Sequence, residues 1–134
     1  MSRNRIYVAV VDDDDSFARA LERLLRASGF EVHTFSSAEA FLAPTTFPPP
    51  DCLVLDIQLG GISGLDLLQR LRESGILTPV IFVTAHDVPE FREQARQAGC
   101  IAYLRKPVGK PALLEAIAKA ITPTPECTDQ ISKQ

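Results

Sequence analysis

No apolar run in this chain of 134 residues approaches the roughly 18 residues of a membrane span, and Met1-Ser2-Arg3-Asn4-Arg5 lacks the apolar core of a signal peptide. Its three cysteines are an odd number, widely spaced and without histidine partners at metal-binding intervals, which excludes a fully paired disulfide framework and a zinc site. Cys52 and Cys100 lie in apolar contexts as small core residues, Cys127 lies in a polar tail, and reduced thiols in a cytoplasmic protein are the expectation. A basic excess is missing as well. The formal charge is -3 and the pI is near 5.3, so there is no general electrostatic footprint for nucleic acid.

What is present is enough apolar material for one domain with a real core, 46% hydrophobic residues against 23% charged. Its most unusual stretch is Val8-Ala9-Val10-Val11-Asp12-Asp13-Asp14-Asp15, an apolar run that stops at adjacent carboxylates. Neighbouring anions repel by on the order of 1 kcal/mol per close pair even in water. If at least two of them sit in a cleft, a hard divalent cation is the natural neutraliser. The competing explanation is a solvated acidic turn that caps the next helix, with Asp15 or Ser16 as N-cap.

Around this run the chain alternates between strand and helix patterns. Ile6 to Val11 is nearly continuous in apolar residues, as in a strand buried on both faces. Phe17, Ala20, Leu21, Leu24 and Leu25 recur at helical spacing between Ser16 and Ser28, with Gly29 as the stop. Glu31 to Phe35 reads as a second strand. Ser36, with Glu39 three residues on, predicts a capping box that opens a short helix through Leu42. Pro44 and Pro48 to Pro50 then break the helix. Cys52 to Leu55 predicts a third strand stopping at Asp56. A glycine-rich loop follows, then a helix carrying Leu65, Leu67, Leu68 and Leu71 that ends near Ser74-Gly75. Pro79 to Val83 predicts a fourth strand ending at Thr84, and a helix runs from Pro89 towards Gly99. Ile101 to Leu104 predicts a fifth strand ending near Lys106. The last helix, Pro111 to Ile121, places Leu113, Leu114, Ile117 and Ala118 on one face.

Strands alternating with helices in this way predict an α/β fold: a doubly wound five-stranded parallel sheet flanked by five helices. Ligands of such sheets bind at the carboxyl ends of the strands. There the sequence places Asp12 and Asp13, Asp56, Thr84 and Lys106. The second strand contributes nothing polar, which fits an edge position and the order 2-1-3-4-5. Taken singly, each residue has an ordinary explanation as a turn former, a strand-end hydroxyl or a solvated charge. Together they form a cation-plus-phosphoryl site: three carboxylates for the metal, a hydroxyl donor and a neutralising ammonium.

At this point the sequence resembles the receiver domain of two-component response regulators, with a CheY-like (flavodoxin-like) fold. The matching motifs are Val10-Val11-Asp12-Asp13, Leu53-Val54-Leu55-Asp56, Val83-Thr84-Ala85 and Lys106-Pro107, and the resemblance covers about residues 5–121. Ser37-Ala38-Glu39-Ala40-Phe41-Leu42 and His86-Asp87-Val88-Pro89 are most similar to the FixJ/NarL-type group. The resemblance implies that Asp56 is the phosphoacceptor, taking a phosphoryl group from the phosphohistidine of a sensor histidine kinase. It implies a Mg²⁺ cofactor on Asp13, Asp56 and the Gln58 carbonyl, with Asp12 acting through water or as an alternate ligand. Lys106 and Thr84 would contact the phosphoryl group, Tyr103 would follow as the aromatic switch, and the Lys106-Pro107 bond would be cis. The expected role is signalling: a phosphoprotein that catalyses its own phosphorylation and dephosphorylation and is not an enzyme on other substrates. It would control a transcriptional output domain or partner, with a homodimer as one form of the response, with DNA contacted only through an output domain, and with no membrane contact.

The domain expectation is residues 1–121 as receiver and 122–134 as a tail or linker stub, because Thr122-Pro123-Thr124-Pro125 opens a polar segment. One departure stands out. The family has proline four residues after the phosphoacceptor, where this chain has Gly60-Gly61, so the loop is expected to hold Gln58 less firmly and bind Mg²⁺ more weakly. Gln58 and His86 occupy the positions where the family tunes its dephosphorylation rate, although His86 fits a solvent-facing loop equally well. A haloacid-dehalogenase-like phosphatase echoes Asp12-x-Asp14 and Lys106 but leaves Asp56 without a role and lacks the later acids. An EF-hand loop fails because Phe17 stands where such loops need glycine.

Overall fold

Interior strands of a parallel sheet must be apolar on both faces, and that requirement shapes the architecture. The computed structural model describes residues 5–86 and 88–122. In chain order the elements are β1 (Tyr7–Val11), α1 (Asp15–Ala27), β2 (Glu31–Phe35), α2 (Ala38–Leu42), β3 (Cys52–Asp56), α3 (Gly64–Glu73), β4 (Val80–Thr84), α4 (Pro89–Gln97), β5 (Ala102–Arg105) and α5 (Lys110–Ile121). All the strand pairs are parallel and the order is β2-β1-β3-β4-β5, as the placement of polar strand ends predicts. The three central strands are buried along their whole length, whereas β2 and β5, at the edges, carry half-exposed residues.

Alternation along the strands splits the core in two. Tyr7, Ala9, Val11, Leu53, Leu55 and Phe82 pack with α2, α3 and α4 through Ala38, Leu67, Leu68, Leu71 and Ala95. Val8, Val10, Val54, Ile81 and Val83 pack with α1 and α5 through Leu21, Leu25, Leu113 and Ile117. Each fully buried leucine or valine removes enough apolar surface from water to contribute about 2 kcal/mol. Cys52 is buried, and burial pushes its thiol pKa up to about 12, in keeping with a structural role; Cys100 is half-buried.

Several local expectations change. The N-cap of α1 is Asp14, whose carboxylate accepts from the Phe17 amide at 3.2 Å, so Asp15 becomes the first helical residue. The N-cap of α2 is Ser37 rather than Ser36, its hydroxyl accepting from the Ala40 amide at 3.0 Å. That one-residue shift puts Ala40 where a capping box needs an acid and frees Glu39, whose carboxylate instead accepts from the Ile62 amide at 3.1 Å. On α1 the small buried residue is Ala18, not Ala20, and on α5 it is Ala116, not Ala118. Gly29 stops α1 with a φ of 97°, a left-handed conformation that glycine adopts without steric cost. The expected tail beyond Thr122, including Cys127, and the loop residue Asp87 lie outside the described residues.

Candidate functional site

Parallel pairing aligns the carboxyl ends of β1, β3, β4 and β5 on one rim, and the polar residues that end those strands meet there. Asp12 leaves β1 buried, only 1% exposed, with its amide donating to the Phe35 carbonyl at 3.0 Å. One of its carboxylate oxygens accepts from the Asp14 amide at 2.9 Å, so the acidic run folds back on itself. Asp13 is exposed. Asp56, the last residue of β3, is 6% exposed and accepts from the Gln58 amide at 3.1 Å. One carboxylate oxygen from each of Asp12, Asp13 and Asp56 lies within 4.8 Å of the others.

Lys106 reaches this cluster from the loop after β5. Its Nζ lies 2.9 Å from Asp12 Oδ2 and 3.4 Å from Asp56 Oδ2. Its amide donates to the Thr84 carbonyl at 2.8 Å, and the Lys106-Pro107 bond is cis, as expected. One ammonium does not balance the clustered carboxylates. Burial, with the negative charge of Asp12 beside it, pushes the Asp56 carboxyl up to about 6 despite the opposing pull of Lys106 and the Gln58 amide. Burial pulls the Lys106 ammonium down, but its bonds and charge interactions with Asp12 and Asp56 outweigh that, and its pKa is held above the ordinary value. A cluster of hard oxygen donors with uncompensated negative charge fits a small divalent cation such as Mg²⁺.

Thr84 lies at the same rim, fully buried, with its hydroxyl turned into the following loop. It accepts from the His86 amide at 3.0 Å and donates to the His86 carbonyl at 3.2 Å. His86 itself is exposed. Tyr103 sits on β5 among the residues packed against the α2–α3–α4 side of the core, with the Arg92 guanidinium 4.7 Å from its ring centroid. Gln58 is exposed, one residue past buried Ile57. The structure thus brings Asp12, Asp13, Asp56 and Lys106 together, sets Thr84 beside them facing its own loop, and leaves Tyr103 on the α4 side of β5.

Two residues beside the cluster escape a reading by motif. Gly64 opens α3 with its amide on the Ile57 carbonyl at 2.9 Å, and a Cβ there would stand 2.1 Å from the Asp56 carbonyl oxygen. Only glycine lets the helix approach β3 so closely. The signal was available as a glycine directly after Ser63, the N-cap of α3, whose hydroxyl accepts from the Asp66 amide at 3.1 Å. Phe17, on the first turn of α1, places its ring 4.3 Å from the Lys106 Nζ.

Fold and rim together define a CheY-like α/β domain with an acidic pocket and one lysine at the carboxyl edge of its sheet. Residues 8–118 match the model of the response regulator receiver domain. The chain is 35% identical over 127 residues to the response regulator protein TodT of Pseudomonas putida, covering 94% of this chain and 56% of that protein. It is 35% identical over 127 residues to the transcriptional regulatory protein TdiR of Thauera aromatica, covering 95% and 56% respectively. The crystal structure of FixJ-N superposes with a TM-score of 0.80 at 32% identity, covering 89% of this chain and 95% of that one. The chain belongs to the response regulator receiver domain family. It spans about half the length of these curated relatives.

Proposed function

We propose that this receiver accepts a phosphoryl group on Asp56 from the phosphohistidine of a sensor histidine kinase, in a Mg²⁺-dependent reaction, and that the modification switches a surface read by a transcriptional output. The observation that carries this reading is the grouping of Asp12, Asp13 and Asp56, with Lys106 paired to Asp12 and Asp56 and with Asp56 at a strand end on the rim. In the reaction an Asp56 carboxylate oxygen forms a bond to phosphorus as the bond from phosphorus to the kinase imidazole nitrogen breaks. The electron pair and a proton end on that imidazole. A carboxylate is a weak nucleophile, so catalysis rests on positioning and charge neutralisation.

Asp12, Asp13, Asp56 and the Gln58 carbonyl would hold the Mg²⁺, which when bound would supply positive charge to offset the repulsion between acceptor and phosphoryl oxygens. The chain's own groups do the rest. The Gln58 amide fixes one Asp56 oxygen, and Lys106 neutralises charge on the transferred group. The product carries nearly two added negative charges at the rim. The Thr84 hydroxyl answers by leaving His86 for a phosphoryl oxygen, and Tyr103 follows into the space behind it. The responding surface is α4, β5 and α5, which serves as a phosphorylation-dependent interface with an output domain or a second copy. Residues 1–121 constitute the receiver and 122–134 its tail or linker, in the cytoplasm; among the described residues no helix is long and apolar enough to cross a membrane.

TdiR, a transcriptional regulator by name, supports the assignment of output. Incubation with acetyl phosphate and Mg²⁺ should add one phosphoryl group by mass, lost with EDTA and in Asp56→Asn. Undiminished labelling of Asp56→Asn refutes the assignment, and multiple turnover of p-nitrophenyl phosphate would place the chain among phosphatases instead.

A further inference from the structure

Lys106 is held from more sides than its ion pairs account for. Its Nζ lies over the face of Phe17, 4.3 Å from the ring centroid, while the same atom contacts Asp12 and Asp56. We propose that Phe17 is a positioning residue for phosphoryl transfer: its ring is the platform that keeps the Lys106 ammonium against Asp12 and Asp56, where charge on the incoming phosphoryl group must be neutralised. The inference rests on the phosphoacceptor reading above and adds a residue to it.

A lysine ammonium is a compact charge on a flexible four-carbon stem, so two carboxylates on one side do not fix it. An aromatic face attracts a cation, and more strongly when the cation has lost part of its water. The Lys106 side chain is 13% exposed, so that condition is met. The platform is itself anchored at both ends. The Phe17 amide donates to the Asp14 cap, which fixes the first turn of α1, and its ring packs onto the α1–α5 half of the core. The last two members of the acidic run therefore have a task beyond helix capping. They set the helix start that carries Phe17 across to the loop after β5.

Simple packing of a phenyl ring on an aliphatic stem is the competing explanation, and ring electronics separate the two. Fluorination drains the negative face of the ring while nearly preserving its shape, so a cation–π platform weakens with each fluorine and a packing contact does not. Phe17→Leu, Phe17→Tyr and the mono-, di- and trifluorinated phenylalanines at this position are made in the full 134-residue chain. Three quantities are measured: the initial rate of acetyl-phosphate labelling at saturating Mg²⁺, the Mg²⁺ affinity, and the NMR shift of the Lys106 ε-methylene.

The ε-methylene should be moved upfield by the ring current in the wild type and should return to an ordinary position in Phe17→Leu. Labelling should slow about fivefold in Phe17→Leu, stay within about twofold in Phe17→Tyr, and fall stepwise along the fluorinated series. Mg²⁺ affinity should not weaken, because a looser ammonium competes less for Asp12 and Asp56. A flat fluorine series overturns the proposal. So does equal loss of labelling and Mg²⁺ affinity in Phe17→Leu without recovery in Phe17→Tyr. A wild type that takes no label refutes the phosphoacceptor reading instead, since the ring-current shift reports the Phe17–Lys106 contact without any phosphate.

Discussion

Replacing Asp56 should make the protein more stable. Asp56 is 6% exposed beside a second buried carboxylate, and its pKa rises from 3.8 to about 6. In the folded protein it therefore holds its proton more tightly than in the unfolded chain. Its contribution to stability is fully present below pH 3.8, and it is lost as pH rises through the folded value near 6. The rise from 3.8 to about 6 corresponds to about 3 kcal/mol lost at neutral pH. Asp56→Asn removes the charge and keeps an acceptor for the Gln58 amide. It gives up the 3.4 Å contact with Lys106, but Lys106 retains Asp12 at 2.9 Å. After about 1 kcal/mol for that contact, the net gain is about 2 kcal/mol. Urea unfolding of both proteins in EDTA at pH 7.5 and at pH 4 measures it. The variant should be the more stable at pH 7.5, and the advantage should vanish at pH 4. A variant less stable than wild type at pH 7.5, or a difference independent of pH, would refute the electrostatic reasoning.

The acidic run should divide by function. Asp13→Ala should abolish the stabilisation that Mg²⁺ gives the wild type, about 1.4 kcal/mol at ten times the dissociation constant, whereas Asp14→Ala should cost about 1 kcal/mol through the lost cap and leave the Mg²⁺ increment intact; thermal unfolding with and without Mg²⁺ distinguishes them. Gly64→Ala should destabilise by about 1–3 kcal/mol, since its Cβ would meet the Asp56 carbonyl at 2.1 Å, and wild-type stability in urea would show that α3 can retreat from β3. Gly60→Pro should tighten Mg²⁺ binding by stiffening the loop after Asp56, because a Cβ at Gly60 meets nothing within 4 Å; an unchanged titration would mean that the loop is already held firmly.

The sheet was legible because parallel strands carry their own signature. Val8 to Val11 and Cys52 to Leu55 are apolar on every residue since both faces are covered, and the first polar residue after each run has to emerge at the rim. The same logic placed Asp12, Asp56 and Thr84 at strand ends before any contact was known. It failed where the deciding partner lies on another element. Whether Ser36 or Ser37 caps α2 depends on which hydroxyl meets a helical amide, and Glu39 found Ile62, 23 residues away, as a better donor than its own helix start. Nor could the same logic show that the Thr84 hydroxyl closes a tight turn with His86, because that contact depends on the path of the loop after β4.

Phe17 is the most instructive case. Its helical spacing correctly marks it as half-buried on α1, and that bland role hides the second one, because the ring packs against the core while Lys106, 89 residues further along the chain, lies over it. Hydrophobic periodicity reports only that a side chain avoids water. It carries no information about which charge shares the dry side, and a ring differs from an aliphatic residue there because its face can attract a cation. Lys106-Pro107 is recognisable together with the other three motifs, but the ring beside the Lys106 ammonium lies on α1, and α1 starts where Asp14 caps it. On the proposed reading the acidic run therefore serves one site by two routes: Asp12 and Asp13 through their own oxygens, and Asp14 through the cap that starts the helix carrying Phe17 to Lys106.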